Sequence, residues 1–194
     1  MDNVISCLKG VFIHRRHDEL RDIFAKLLED VAYDVRVEPP LTPLTGEELP
    51  SGSNIADDAR LDVAARRFWE RCEMAFFDIR VFNPYAKTHL NRSLNAAFTS
   101  NEREKKRQNN QRCIQLEHAS FTPRIFSAYG GYSCETYHFL NTLSEQLAEK
   151  KSTFPAYSSD ELAPHKNLLC PDASFNSFSV RDSRNTVLIQ PTLH

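Results

Sequence analysis

Ala59-Arg60-Leu61-Asp62-Val63-Ala64-Ala65 and, after a short break, Ala75-Phe76-Phe77-Asp78-Ile79-Arg80-Val81 are the two runs whose reading decides the fold. Side chains alternate across a strand with period two, so both runs read as half-buried strands. In the second, Phe77, Ile79 and Val81 share one face, and Phe76, Asp78 and Arg80 the other. In the first, Leu61 and Val63 are expected on one face with Asp62 opposite. A short connection makes the two runs a hairpin that brings Asp62 near Asp78. Two close carboxylates form a hard oxygen site of the kind Mg²⁺ prefers. Arg80, two residues after Asp78 and on its face, is placed to hold a phosphate. The combination points to metal-assisted phosphodiester chemistry. The alternative is that each Asp is a solvated residue on the outer face of an antiparallel sheet.

Working outward, the N-terminal side is helical. From His14 to about Val31, residues Leu20, Ile23, Phe24, Leu27, Leu28 and Val31 form one apolar stripe. Carried back a turn, the stripe passes through Arg16 and His17, with Glu19 at its edge. The buried face thus turns polar, as a helix does on entering a site or on simply starting in solvent. Asp34–Glu38 alternates as a strand that Pro39-Pro40 stops. Residues 41–56 carry two Pro and two Gly and read as a long functional or mobile loop.

On the other side, the hairpin connection holds the only Trp, Trp69, beside Arg66, Arg67 and Arg71. A Trp among arginines either stacks on a base or covers the sheet edge. A helix is expected from about Ser93 to Arg112. Its stripe of Leu94, Ala97 and Phe98 continues through Asn101, Lys105, Gln108 and Arg112, which turns Lys105 inward. Lys106 and Arg107 belong to the most basic patch of the chain, which on most helices is a solvated face. Ile114–His118 and Arg124–Ala128 read as strands around Phe121-Thr122-Pro123, and a last helix covers about Glu135–Lys150. Beyond Lys151 the pattern fails, leaving 152–194 as an irregular tail. This order suits an α/β or α+β sandwich with a mixed sheet.

Composition sets outer bounds. The 194 residues carry a formal net charge of -2 and are 41% hydrophobic, enough for one domain with a real core. Near-neutral charge means that a nucleic-acid surface has to come from local clusters. The five Cys are odd in number and widely spaced, which argues against a disulfide framework or a complete zinc site. The first residues lack the charged and apolar regions of a signal peptide, and no apolar run reaches membrane-spanning length. A reducing compartment and a non-secreted protein are expected, with no membrane partner and no small-molecule cofactor.

The ordered motifs resemble the restriction-endonuclease-like (PD-(D/E)XK) fold and, more narrowly, the endonuclease domain of non-LTR retrotransposon polyproteins. Arg16-His17-Asp18 resembles that family's Arg-His-Asn signature, and Val37-Glu38-Pro39 its following strand end. Arg60-Leu61-Asp62 stands where the family has Arg/Lys-Pro-Asp, and Phe77-Asp78-Ile79-Arg80 where it has its second metal-binding acid. The helix around Lys105 resembles one that supplies a displaced lysine, and Pro123–Gly131 also fits. The likeness covers roughly residues 7–150. It implies a DNA endonuclease with Asp62 and Asp78 on Mg²⁺ or Mn²⁺, and Glu19 positioning a water. It also implies a nuclear location, Arg80 and Lys105 offsetting charge, and Arg16 and His17 contacting phosphate or bracing the acids; the basic residues Arg66, Arg67, Arg71, Lys106 and Arg107 are the candidate nucleic-acid contacts. The implied organisation is a zinc-knuckle remnant over 1–12, an endonuclease-like domain over 13–151 and the tail, in a fragment of a polyprotein that includes a reverse transcriptase.

The departures are specific. Leu61 replaces Pro, Arg80 stands where the superfamily has Lys, and of the knuckle ligands only Cys7 remains. Arginine is effectively never deprotonated and so cannot act as a base. A catalytically inactive nucleic-acid-binding module, or an inert retroelement remnant on the same fold, is therefore the alternative expectation.

Overall fold

The computed structural model describes residues 11–89, 91–153, 178–182 and 185–189. Helix α1 (Val11–Val31) leads into strand β1 (Tyr33–Val37), and the hairpin strands are β2 (Val63–Arg66) and β3 (Met74–Phe82). Helix α2 (Leu94–Leu116), strand β4 (Ser120–Ser127) and helix α3 (Cys134–Thr153) complete the domain. The sheet order is β1-β2-β3-β4, antiparallel up to β3 and parallel between β3 and β4. The fold is α+β with a mixed sheet, as the element order implied. Helix α2 is the crossover that a parallel pair requires. Of the expected zinc-knuckle remnant over 1–12, residues 1–10, Cys7 included, lie outside the described residues, and 11–12 open α1.

Both faces of the sheet are covered, which explains the apolar content of both faces of β3. On one face Phe77, Ile79 and Val81 pack with Phe24 and Leu28 of α1 and Phe139, Leu140 and Leu143 of α3. On the other, Phe76 packs with Cys113 of α2, and Phe82 with Ala97 and Phe98 of α2. Arg124 of β4 is fully buried, with its guanidinium 4.0 Å from the Phe139 ring centre and 5.1 Å from that of Phe77. It donates to the Glu135 carbonyl at 2.9 Å.

Four expectations need correcting. Leu61 and Val63 do not share a face: Leu61 packs under α2 and Val63 under α1 and α3. The strand starts only at Val63, and Asp62 is a bend, so alternation stops there. Ile114–His118 is not a strand, because α2 runs on to Leu116. Strand β4 instead begins at Ser120 and includes Pro123. The flanking residues explain this tolerance. The Ile125 N–H bonds Thr136 Oγ1 and its carbonyl accepts from Ser133, so odd-numbered residues of β4 direct their backbone groups away from β3. The missing N–H of Pro123 falls on that outer side and costs no ladder bond. Finally, Phe178–Asp182 and Asn185–Ile189, inside the expected irregular tail, pair as antiparallel strands β5 and β6. The apolar run Val187-Leu188-Ile189 lies in β6.

The loop of residues 41–56 is anchored to α2. The buried Arg112 donates to the Asn54 and Ala56 carbonyls at 2.8 Å each and to the Thr42 carbonyl at 2.9 Å. Arg107 donates to the Gly52 carbonyl at 2.9 Å. Gly52 has φ +85, a left-handed conformation that strains any side chain and so favours glycine.

Candidate active site

The register of the hairpin assembles the site. Val63 pairs with Phe77, so the next step outward sets Asp62 across from Asp78. Strand β2 has four residues and β3 nine, so β3 runs on beyond the end of its neighbour. The Ile79 N–H on that open side donates instead to Asp62 Oδ2 at 2.5 Å. The bend that broke the strand thus uses a carboxylate to satisfy a backbone donor that would otherwise lack a partner. The Asp62 and Asp78 carboxyls face each other closely enough that each bears on the other's titration.

Each acid has its own cation. His17 Nε2, from α1, is 3.2 Å from Asp62 Oδ2, and Nδ1 is 3.4 Å from Asp18 Oδ1. Lys105 Nζ, from α2, is 2.8 Å from Asp78 Oδ2, and Asn109 Nδ2 donates to the same oxygen at 3.1 Å. Asp78 is only 7% exposed. Burial pushes its pKa up to about 6; Lys105 opposes this and the neighbouring Asp62 charge adds to it. Burial also penalises the Asp62 charge, but His17 and the Ile79 N–H outweigh it and hold Asp62 below the usual carboxylate range. The hydrogen bond to Asp62, against some desolvation, raises His17 to about 8, so it is a cation at neutral pH. The arrangement keeps Asp62 ionised and makes Asp78 the more proton-hungry of two facing acids.

Of the remaining expected residues, some approach this pair and others do not. Arg80 Nη1 lies 2.9 Å from Glu104 Oε2, so its charge is already engaged by α2. Glu19 is not brought to the acids. It pairs on the exposed side of α1 with Arg15 at 2.8 Å, because two residues beyond His17 turn the helix roughly 200° away. Arg16 donates to the Ala128 carbonyl and braces the turn after β4. Lys106 pairs with Glu135 of α3. Arg66, Arg67 and Arg71 lie at the turn end of the hairpin; Arg66 is four residues from Asp62, roughly 13 Å along the strand. Arg67 bonds the Tyr33 hydroxyl at 3.2 Å, and Trp69 Nε1 donates to Thr122 Oγ1 at 3.2 Å, covering the sheet rather than standing free.

Asn109 is the residue that sequence reasoning missed, having placed Gln108 on the inward face. Asn101, Asn109 and Cys113 are buried at intervals of four or eight, which the series Asn101, Lys105, Asn109, Cys113 would have revealed. Among the described residues, no group of three or more His, Cys, Asp or Glu side chains is arranged to hold a metal ion. Nor is any helix among them long and apolar enough to cross a membrane. No protein-family model and no curated protein matches the chain.

Proposed function

We propose that this chain is a metal-dependent DNA endonuclease-like domain derived from a retroelement, hydrolysing phosphodiester bonds at the Asp62–Asp78 pair. The supporting observation is the convergence of two carboxylates with Lys105 at the open end of the hairpin. The donor set suits Mg²⁺ or Mn²⁺. Mg²⁺ is typically bound through one or two carboxylates, with water and substrate phosphate completing its shell, so a third acid is not required. The raised pKa of Asp78 comes chiefly from burial, with the facing Asp62 charge adding to it, and a bound divalent cation would offset both.

Asp62 and Asp78 would hold the cation, and the chemistry it supplies is polarisation of a phosphoryl oxygen and a more acidic water. His17 fixes Asp62 in its charged form. Lys105 holds its ammonium against Asp78, where it is placed to offset charge that builds on the phosphate. Arg80 contributes charge only if it leaves Glu104, and it is no base.

The test is nicking of supercoiled plasmid with Mg²⁺ or Mn²⁺. Metal-dependent nicking lost in Asp62→Ala and in Asp78→Ala supports the reading. Folded wild-type protein that nicks no more than these variants overturns it. The Arg80–Glu104 pair favours a second reading, a non-catalytic nucleic-acid-binding module. Salt-sensitive DNA binding with no effect of metal is its signature.

A further inference from the structure

A cleft lies at the ends of β3 and β4, remote from the acid pair. Its volume is about 220 Å³, and its lining includes Tyr85, His89, Arg92 and Tyr129. Pockets for drug-sized ligands run to roughly 300–1,000 Å³, so this one suits a single ring system rather than an extended cofactor. Tyr85 and Tyr129 are 68% and 39% exposed, two of the largest apolar groups left in water. Their rings meet edge to face, 5.1 Å apart at 87°.

Both tyrosines are held by built turns. Asn83 Oδ1 accepts from the Tyr85 N–H at 2.9 Å. Ser127 Oγ accepts from the N–H groups of Tyr129 and Gly131 at 3.3 and 3.2 Å, and Gly130 supplies φ +98. Rigid, exposed rings bind flat partners at little entropic cost. Inside the cleft, the His89 ring lies edge-on to Phe82 at 5.2 Å, and its Nδ1 is shut off from solvent with no hydrogen-bond partner among the described residues.

Among the described residues, no Asp or Glu lines the cleft. None occurs from Ile79 to Asn101, a stretch holding Lys87 and Arg92 besides Arg80, whose charge Glu104 engages, nor from His118 to Cys134. In a chain of net charge -2, the two segments that build the cleft are free of acids. Exposed aromatic faces beside cations are the chemistry that holds an unpaired nucleobase and its phosphate.

We infer that this cleft receives one unpaired nucleobase of a single-stranded segment of DNA, stacked on the face of one ring of the Tyr85–Tyr129 pair and edge-on to the other, with Arg92 of the lining at the backbone phosphate. The inference rests on the nucleic-acid reading above and adds a subsite to it. From Asp78 to the end of β3 at Phe82 the strand runs four residues, roughly 13 Å, toward the cleft.

The experiment is fluorescence anisotropy on the full chain, without metal, using a labelled oligothymidylate of about 16 nucleotides and a duplex of equal length. Tyr85→Ala and Tyr129→Ala are each expected to weaken single-strand binding about 5- to 100-fold, the value of one stacked base. Duplex binding by the same variants should change less than single-strand binding. Tyr85→Phe and Tyr129→Phe keep the ring and should bind as wild type does, which separates stacking from misfolding. Alanine variants that bind the single strand like wild type overturn the subsite and leave the nuclease reading standing. A wild-type chain that binds neither DNA overturns both.

Discussion

The two ends of the β2–β3 hairpin carry similar numbers of charges and meet different fates. At the turn end, Arg66 is 48% exposed and lies 3.8 Å from Asp34, a contact that water largely screens. At the open end, the Asp78 side chain is 9% exposed and Lys105 21%, 2.8 Å apart. Residue type does not distinguish the ends. What distinguishes them is that α1 and α2 both deliver a side chain to the open end, where β2 stops and β3 continues. Burial there turns ordinary ionisable groups into a coupled set, and the lack of such cover leaves the arginines of the turn as solvated or packing residues.

The largest way to sharpen that contrast is Lys105→Ala beside Arg71→Ala. Nicking should fall about 100-fold for the first, the usual effect of removing one charge-stabilising group, and change less than about twofold for the second. Equal losses would place DNA contact, not chemistry, at both ends.

Stability gives the next test. Asn109→Ala leaves a buried carboxylate without one of its donors and should cost about 2 kcal/mol in denaturant unfolding. Arg66→Ala should cost under about 0.5 kcal/mol in the same assay, because its ion pair is exposed.

His17 gives a pH test. Its pKa is raised in the folded state to about 8 from 6.5, so its stabilising contribution is fully present below pH 6.5 and is lost as pH rises through about 8. A shift of that size is worth about 2 kcal/mol at most, part of it screened by water. His17→Gln should flatten unfolding stability between pH 6.5 and 8.5, whereas a wild-type curve already flat there contradicts the His17–Asp62 pair.

Much of this contrast was legible in the chain. Strand alternation placed the hairpin, and helical phase turned Lys105 inward. Both rest on apolar periodicity, which held along α1 and β3 but not at Leu61 and Val63, where the bend at Asp62 resets the faces. It failed where polar residues carry the burial. In Asn101, Lys105 and Asn109 no hydrophobic side chain fixes the phase, so a one-residue drift put Gln108 in place of Asn109. Asp62 was placed correctly but for an incomplete reason: it is a bend residue that bonds Ile79, and a bend leaves no periodic signature. The burial of Arg124 among Phe77, Phe139 and Trp69 was unreadable, since an arginine in a strand is ordinarily taken as surface. Glu19 was drawn to the site by the resemblance, and helical rotation carries it away.

The measurement that tests the central claim most directly is calorimetric titration of Mn²⁺ into wild type, Asp62→Asn and Asp78→Asn. The account predicts one saturable site in the wild type, lost in both variants while the fold, followed by circular dichroism, persists. Binding that survives in both variants, or a folded wild type that binds no Mn²⁺, would contradict it.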